Sequence, residues 1–378
     1  MAGFMNYLTK KYISLVSLFL MILITTSCSR LYFGPNNLAK FSTSQPNELG
    51  PIVSVWEDGM RTTGQRNEFE WWYFDGKLDD GSILVAYFWK VHFISDQYFI
   101  GFNYRDAQGN DFFKMKYFKK KNVNFSPDSC DVVFGKNHFK GNLESYSIKI
   151  NPDDFDGIGF DLKLSSKLKP YRPQDGIIKA GDDYFAWLAA VPNGSIDGDL
   201  VVNGQKTSIT GSGYHDHNWG NTPLQYLFDS WVWFRGEIED KTVVAAVLYM
   251  TDKRGGYDVP ILYVADSDSV HINRFGESGL YSKKSARIEG LYNKKNEPLF
   301  NALDMMTENG YMVNIKGKSV LDNSALFKRM GMPLPLRLAM NAAKIDPFYT
   351  RFDSDMTLKI KDDKPLKGFG VFEIMDLK

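Results

Sequence analysis

The chain has 378 residues, which is long enough for two domains or for one large β architecture. Its 45 basic and 45 acidic side chains balance, so the net charge gives no indication of a nucleic acid or another polyanionic partner. Aromatic residues make up 15% of the sequence, and the 28 Phe and 20 Tyr favour strands and apolar cavities over helical bundles.

The N-terminus is typical of an export signal. Lys10 and Lys11 precede an apolar run, residues 12–24, that is too short to span a bilayer comfortably. Cys28 directly follows the hydroxyl residues 25–27, which resembles a bacterial lipoprotein signal. That resemblance implies a signal over residues 1–28, a lipidated Cys28, and an exported protein anchored to the membrane and facing the periplasm or cell envelope. An ordinary cleaved signal and an uncleaved anchor are the alternatives.

After Cys28 the sequence contains one further cysteine, Cys130, so it offers no disulfide framework. We expect Cys130 to be a small buried hydrophobic residue rather than a nucleophile. Residues 29–47 are polar and contain proline, as expected for a linker between a lipid and a domain.

From Val53 onward, short apolar or alternating runs are separated by turn dipeptides, a pattern that predicts strands. Two segments look helical, 323–330 and 336–343. The spacing of the turns predicts an all-β protein of two halves, residues 48–222 and 223–378. The predicted strands are 71–78, 83–93, 98–104, 112–118, 131–134, 138–141, 145–150, 159–164, 182–190, 195–202, 206–211, 230–238, 242–251, 261–265, 286–292, 299–306, 311–316, 352–360 and 368–375.

The segment Gly211–Gly220 (GSGYHDHNWG) combines titratable groups, a large aromatic residue and backbone freedom. Its glycines leave room for a bulge or for the close approach of another backbone or a ligand. In an extended chain, alternate residues point to opposite faces. One face then carries His215, His217 and Trp219, and the other carries Tyr214, Asp216 and Asn218.

A second motif, Glu70-Trp71-Trp72-Tyr73, is the natural candidate to lie opposite this segment. Aromatic and histidine side chains in either motif could simply be hydrogen-bonded core. The two acids, Glu70 and Asp216, argue against packing alone. Burying a carboxylate costs several kcal/mol unless it is paired or protonated.

His215 and His217 share a face, as two metal ligands on a strand would. A tetrahedral site needs a further ligand, and His92, His138, His271 or a carboxylate could supply it. Because no other His/Cys cluster supports this reading, we predict no metal.

Three motifs together resemble one known family. Glu70–Tyr73, Gly213–Gly220 and the terminal Gly368–Glu373 (GFGVFE) are similar to motifs of the carotenoid 1,2-hydratase family (hydroxyneurosporene synthase, also called AttH-like or lipocalin-like). They occur in the family's order and span most of the chain after Asn47. The resemblance implies two lipocalin-like β-barrel or sandwich domains packed together, with a ligand space lined from both. It also implies that His217 and Trp219 take part in catalysis.

In a hydratase of this kind, which needs no cofactor, a buried acid protonates the terminal double bond of an apolar, isoprenoid-like substrate, and water adds to the carbocation. Asp216 is the expected acid, or the group that holds His217 in the correct tautomer. Indole faces stabilise cations, so tryptophans are expected beside the substrate. The predicted substrate-binding residues are Glu70, Trp72, Tyr73, Tyr214, His215, Trp231 and Trp233.

One departure from the family bears on this hypothesis. The hydratases use a Tyr and an Asp after the signature, whereas residues 230–235 read SWVWFR and contain no Tyr-x-Asp pair. A second hypothesis is therefore a non-catalytic lipid-binding or lipid-transfer lipoprotein that uses the same cavity. Convergence of His217, Asp216 and Glu70 would favour catalysis, and an apolar cavity without inward ionised groups would favour a carrier.

Overall fold

A computed structural model describes residues 39–40, 52–92, 95–173, 176–276, 279–292, 298–332, 334–342, 345–361 and 363–377. The predicted signal and Cys28 lie outside the described residues, as does most of the predicted linker. No helix among the described residues is long and apolar enough to cross a membrane.

The first half of the chain forms a 13-stranded antiparallel sheet with the order β5-β4-β3-β2-β13-β12-β10-β9-β8-β7-β6, and the short β1 and β11 pair beside β12. The sheet curls on itself, since Phe134 on β7 packs edge-on against Phe88 on β3 with ring centroids 5.5 Å apart. The strands are β1 (Ala39–Lys40), β2 (Phe69–Leu78), β3 (Ile83–His92), β4 (Asp96–Arg105), β5 (Asp111–Phe118), β6 (Val123–Phe125), β7 (Cys130–Phe134), β8 (Asn137–Gly141), β9 (Ser145–Ile150), β10 (Ile158–Ser166), β11 (Ile177–Ala180), β12 (Asp183–Val202) and β13 (Gln205–Gly220).

The second half forms a nine-stranded antiparallel sheet with the order β17-β16-β15-β14-β22-β21-β20-β19-β18. Buried side chains from all nine strands share one apolar core, so this sheet also curls. The strands are β14 (Phe228–Ile238), β15 (Lys241–Met250), β16 (Asp258–Ala265), β17 (Val270–Phe275), β18 (Leu280–Tyr292), β19 (Pro298–Thr307), β20 (Tyr311–Ala325), β21 (Phe348–Ile360) and β22 (Leu366–Asp376).

Among the described residues, helices are few and short, as predicted. The α-helices there are α1 (Leu224–Leu227), α2 (Leu326–Arg329) and α3 (Leu334–Ala342). Residues 323–325, which we expected in a helix, instead extend β20. The prediction of an all-β protein built from two barrel-like sheets is confirmed.

One predicted break between strands does not form. The strands predicted at 182–190 and 195–202 are a single strand, because β12 runs from Asp183 to Val202 through the dipeptide Asn193-Gly194. Its pairing with β13 shifts register between Leu188 and Val191 and again between Val191 and Gly194. The turn-forming dipeptide therefore lies at an irregularity within a long strand, directly beside the segment Gly211–Gly220.

A third apolar layer fills the space between the two sheets and positions the site. It combines side chains from the outer face of the first sheet with residues of β14, β15 and β16. Polar links cross the same layer: Asn193 Nδ2 donates to Thr242 Oγ1 at 2.9 Å, and Arg254 pairs with Asp183. We call this layer the inter-sheet layer.

Candidate active site

The two predicted motifs lie side by side. β13 pairs with β2 in an antiparallel register that sets His217 opposite Trp72 and Asp216 opposite Tyr73. The glycines permit this close pairing, because a Cβ at Gly211 would lie 2.3 Å from the Lys77 carbonyl oxygen. The prediction that Glu70–Tyr73 faces the signature is confirmed.

The alternation along β13 sorts the site residues into two groups, as predicted. His215, His217 and Trp219 point into the first barrel, together with Glu70 and Trp72 from β2. Tyr214 points into the inter-sheet layer with Tyr73 and Trp233, and Asp216 bonds to it there. Ten predicted site residues thus divide between two environments, five in each; the layer's five are Tyr73, Tyr214, Asp216, Trp231 and Trp233.

Inside the barrel, His217 is held on all sides. Its ring stacks on Trp72 with centroids 4.7 Å apart and an interplanar angle of 10°, and Trp219 lies at 4.7 Å. Its Nδ1 lies 3.1 Å from the Glu57 carbonyl oxygen, and its Nε2 lies 2.9 Å from Glu70 Oε1. All these groups are buried, so the ring has no open edge.

Glu70 has its hydrogen-bonding capacity filled in the same way. Its carboxylate accepts hydrogen bonds from the backbone N–H groups of Arg61 and Thr62 and from the Thr62 hydroxyl, the last at 2.6 Å. Together with His217, these donors pair both oxygens of a fully buried acid. The predicted contact of Glu70 with a substrate has no free acceptor to support it.

His215 forms the second half of this interior network. Its Nδ1 lies 2.9 Å from the Tyr73 carbonyl oxygen, and its Nε2 lies 3.1 Å from Asp58 Oδ2. The same Asp58 oxygen accepts the Tyr146 hydroxyl at 2.5 Å. Asp58 belongs to a single 3-10 turn, Val55–Asp58, that is pinned in place by these bonds and by the pairing of Glu57 with Arg172.

The partners determine what the two histidines can do. In each ring Nδ1 faces a carbonyl oxygen, which only accepts, so Nδ1 carries a hydrogen. In each ring Nε2 faces a carboxyl oxygen, so a proton lies between that nitrogen and the acid whichever of them owns it. Neither ring presents a lone pair to a ligand. We therefore read the interior network as a structural clamp between β2, β13 and the 3-10 turn.

One group in this clamp has the composition of a metal site. Asp58, Cys130 and His215 place one ligand atom each within 4.8 Å of one another. His217, the expected second histidine ligand, is not part of this group. Burial raises the pKa of the Cys130 thiol well above its usual value, which is the state of the buried, unreactive cysteine that we predicted.

Asp216 lies on the other side of the same strand. Its Oδ2 accepts the Tyr214 hydroxyl at 2.9 Å and the Trp187 indole N–H at 3.0 Å, and its Oδ1 accepts the Asn218 amide at 2.7 Å. Although only 8% exposed, it has no cationic side chain bonded to it among the described residues. Burial raises the pKa of Asp216 to about 7, and these hydrogen bonds limit the rise. A buried carboxyl that titrates near neutrality can store and donate a proton.

Aromatic rings surround this acid. Trp233 packs edge-on against Tyr214 with centroids 5.1 Å apart, and Tyr73 lies 6.3 Å from Trp233. Trp71 and Trp231 are partly exposed within the same layer. The layer therefore offers indole and phenol faces beside a proton donor.

A charged cluster borders the aromatic rings, and no sequence pattern predicted it. Asp75 pairs with Arg235 at 2.6 Å and with Arg351, and Arg351 Nη1 lies 3.2 Å from Glu373 Oε1. Burial alone would raise the pKa of Asp75, but the two guanidinium groups outweigh it and hold that pKa below its usual value. Burial raises the pKa of Glu373, against the opposing effects of Arg351 and Tyr349.

One expectation about side-chain contacts was wrong, and one arrangement that would have favoured catalysis is absent. Asp216 does not hold His217 in its tautomer, because adjacent strand residues point to opposite faces; Glu57 and Glu70 are the partners of His217. For the same reason His217, Asp216 and Glu70 do not converge at one point. The other histidines considered as ligands, His92, His138 and His271, bond elsewhere, to Asp96, Ser147 and Asp266.

Comparison with known proteins agrees with this architecture. Residues 175–273 match the profile of the family "Carotenoid hydratase CrtC". A hydroxyneurosporene dehydrogenase from Chlorobaculum tepidum is 22% identical over 369 residues, covering 86% of this chain and 87% of that protein.

Two solved structures share the fold. An AttH protein from Nitrosomonas europaea superposes with a TM-score of 0.61 at 14% identity, covering 89% of this chain and 100% of that one. Kievitone hydratase from Nectria haematococca superposes with a TM-score of 0.57 at 14% identity, covering 91% and 98%. The resemblance of this chain to the AttH-like carotenoid hydratase family, predicted from its three motifs, is confirmed.

Proposed function

We propose that this protein is a hydratase that adds water to a carbon–carbon double bond of an apolar, isoprenoid-like substrate, with Asp216 as the proton donor. The observation that carries the proposal is the carboxyl of Asp216, buried among aromatic rings with a pKa near 7. The matched family profile supports a hydratase-like activity.

The reaction needs one acid and one water molecule. Protonated Asp216 transfers its proton to the less substituted alkene carbon, which leaves a tertiary carbocation and an aspartate. Water adds to the cation, and the resulting oxonium ion returns a proton to Asp216. The carboxyl is thereby restored and the product is a tertiary alcohol.

Two features of the site assist the cation. Trp233 and Tyr73 present aromatic rings beside Asp216, and an aromatic face stabilises a nearby cation by roughly 0.5–2 kcal/mol. Asp216 is only 8% exposed, which limits the access of bulk water to a cation formed beside it. Hydrogen bonds from Tyr214, Trp187 and Asn218 stabilise the aspartate that forms when the proton leaves.

In this proposal His217 and Trp219 do not contact the substrate and affect the reaction only through the position of Asp216. They fix β13 against β2, and that register places Asp216 beside Tyr73. A loss of activity on changing His217 would then come from displacement of the acid and not from loss of a base.

Native mass spectrometry with lipid extraction tests the proposal on the purified protein and on Asp216→Asn. We expect the intact protein to convert a bound or supplied isoprenoid into a product heavier by one water molecule, and the variant to bind the substrate unchanged. An identical, unconverted lipid on both proteins would instead identify a carrier. That second function is favoured by two observations, the missing Tyr-x-Asp pair in residues 230–235 and the separation of His217 and Glu70 from Asp216 on opposite faces of β13.

We also propose that Cys28 is lipidated and anchors the exported protein to a membrane of the cell envelope. The support is the sequence before Cys28, an apolar run followed by hydroxyl residues. Cys28→Ser should move the protein from the membrane fraction to the soluble fraction and remove an acyl-modified N-terminal peptide from its mass spectrum. An unmodified Cys28 in membrane-bound protein would contradict the proposal.

A further inference from the structure

The charged cluster of Asp75, Arg235, Arg351 and Glu373 has no part in the proton transfer, yet it lies beside the site of that transfer. Asp75 follows Tyr73 by two residues on β2, so the two side chains share a face, and the Tyr73 hydroxyl donates to Asp75 Oδ2 at 3.4 Å. Tyr73 is paired with Asp216 across the β2–β13 ladder. The cluster therefore lies one side-chain position beyond the proton donor.

The cluster has unused hydrogen-bonding capacity. The Nε atoms of Arg235 and Arg351 are buried and have no hydrogen-bond partner among the described residues. Both arginines are 5% exposed. A buried N–H group without a partner costs roughly 1–3 kcal/mol, so two such donors side by side are unusual in a purely structural ion-pair network.

The ion pairs of the cluster use the terminal Nη atoms of the two arginines. Arg235 Nη2 and Arg351 Nη2 pair with the two oxygens of Asp75, and Arg351 Nη1 pairs with Glu373. The two Nε–H groups are therefore left for an added acceptor, and a carboxylate is an acceptor that suits a guanidinium group.

A groove leads from solvent to the cluster. Its volume is about 360 Å³, and it runs between the β4–β5 turn and strands β20, β21 and β22 of the second sheet. Asp75 and Arg351, the most buried of its charged lining residues, mark its inner end. The rim carries Lys77, Arg105, Asp106 and Asp353. This volume suits a head group, not a whole long-chain lipid.

We infer that the cluster is a recognition site for an acidic head group, so that the substrate is an apolar chain ending in a carboxylate. This inference rests on the proposed function and deepens it. The carboxylate lies at the inner end of the groove and accepts a hydrogen bond from Arg351, while Arg235 pairs with the other oxygen of Asp75 behind it. The chain extends along Tyr73, Trp233 and Trp71, which brings a double bond to Asp216. A carotene hydrocarbon has no acidic group and would leave the Nε–H groups of Arg235 and Arg351 without a hydrogen-bond partner.

The test compares two probes that differ only at the head group, all-trans retinoic acid and its methyl ester. Binding is followed by quenching of tryptophan fluorescence. We expect the intact protein to bind the acid at least tenfold more tightly than the ester, since hydrogen bonds to charged groups contribute roughly 1.5–3 kcal/mol. Equal affinities would overturn the inference, and this comparison requires no variant to fold.

Two substitutions show whether the buried cluster or the groove rim causes the preference for the acid over the ester. Arg351→Gln should reduce it to less than threefold while ester binding stays unchanged. Lys77→Gln removes a charge at the groove rim without touching the buried cluster and should keep the tenfold preference. If Lys77→Gln abolished the preference and Arg351→Gln did not, the head group would bind at the rim and the inference would be wrong.

Asp216→Asn separates this inference from the proposed function. It should keep the preference for the acid and abolish hydration. A preference for the acid in a protein that never hydrates any substrate would support the recognition site and refute the hydratase. Hydration by a protein that binds the acid and the ester equally would support the hydratase and refute the recognition site.

Discussion

The two faces of β13 lie against buried acids that differ in their hydrogen-bond partners. On the inner face, the acids beside His215 and His217 are Asp58 and Glu70, each buried against an imidazole and further donors. On the outer face, Asp216 is nearly as buried but is met by neutral donors. The inner acids hold the two histidines in place, whereas the outer acid, with a pKa of about 7, retains its proton near neutral pH. Burial alone does not identify a catalytic acid; the hydrogen-bond partners of its carboxyl must be considered as well.

The largest expected effect comes from removing the outer acid. Asp216→Asn keeps the shape and most hydrogen bonds of the side chain but cannot donate a proton to an alkene. General acid catalysis contributes roughly 10²–10⁴-fold, so we expect hydration to fall by at least a hundredfold. Product formation by liquid chromatography and mass spectrometry measures this. A variant with more than a tenth of the normal rate would show that another group protonates the substrate.

The matched change on the inner face should affect stability instead. Glu70→Gln replaces one acceptor oxygen by an NH₂ group, so at least one of the buried donors that face Glu70 loses its acceptor, which costs roughly 1–3 kcal/mol. Urea denaturation should show this loss, while the folded fraction keeps a near-normal rate. His271→Ala, at an exposed pair with Asp266, is the control and should leave stability unchanged. A normally stable Glu70→Gln protein without activity would place Glu70 in the chemistry.

The pH dependence separates the two faces further. Asp216 donates only when protonated, so the rate of hydration should be constant well below pH 7 and fall as pH rises through its pKa of about 7. The raised pKa also means that the folded state holds this proton where the unfolded chain has lost it. Stability should therefore decline as pH rises from about 4 to 7, and less so in Asp216→Asn. The same slope in both proteins, measured by urea denaturation across this range, would assign the titration to another group.

The smallest effect is expected at the aromatic wall. Trp233→Phe keeps an aromatic face beside Tyr214 but replaces the indole, the stronger cation binder. We expect the hydration rate to fall a few-fold with little change in substrate affinity, as determined by steady-state kinetics. A change in affinity alone would mean that Trp233 binds the ground state of the substrate and not the cation.

The sequence predicted much of this comparison, because period-two alternation is a local property. The opposite orientations of His217 and Asp216, the pairing of the two motifs and the all-β architecture all follow from patterns within a few residues. The partners could not be predicted in the same way. Glu57 and Asp58 reach the histidines from a single 3-10 turn that has no periodic pattern and lies more than 150 positions away.

The charged cluster was missed for the same reason. Asp75, Arg235 and Arg351 come from three strands in two sheets, and no spacing relates them. Asn193-Gly194 shows the converse error, since a strong local turn signal was overridden by pairing with β10 and β13 on both sides. Long-range contacts decided each of these cases.

A carbon-13 NMR titration of the aspartate carboxyl groups, with Asp216→Asn used for assignment, measures directly whether Asp216 can hold a proton at neutral pH. We predict one aspartate resonance, absent from the variant, that titrates near pH 7. A resonance of Asp216 that titrates in the ordinary range near pH 4 would contradict it, because the acid would then be ionised at neutral pH with no proton to donate.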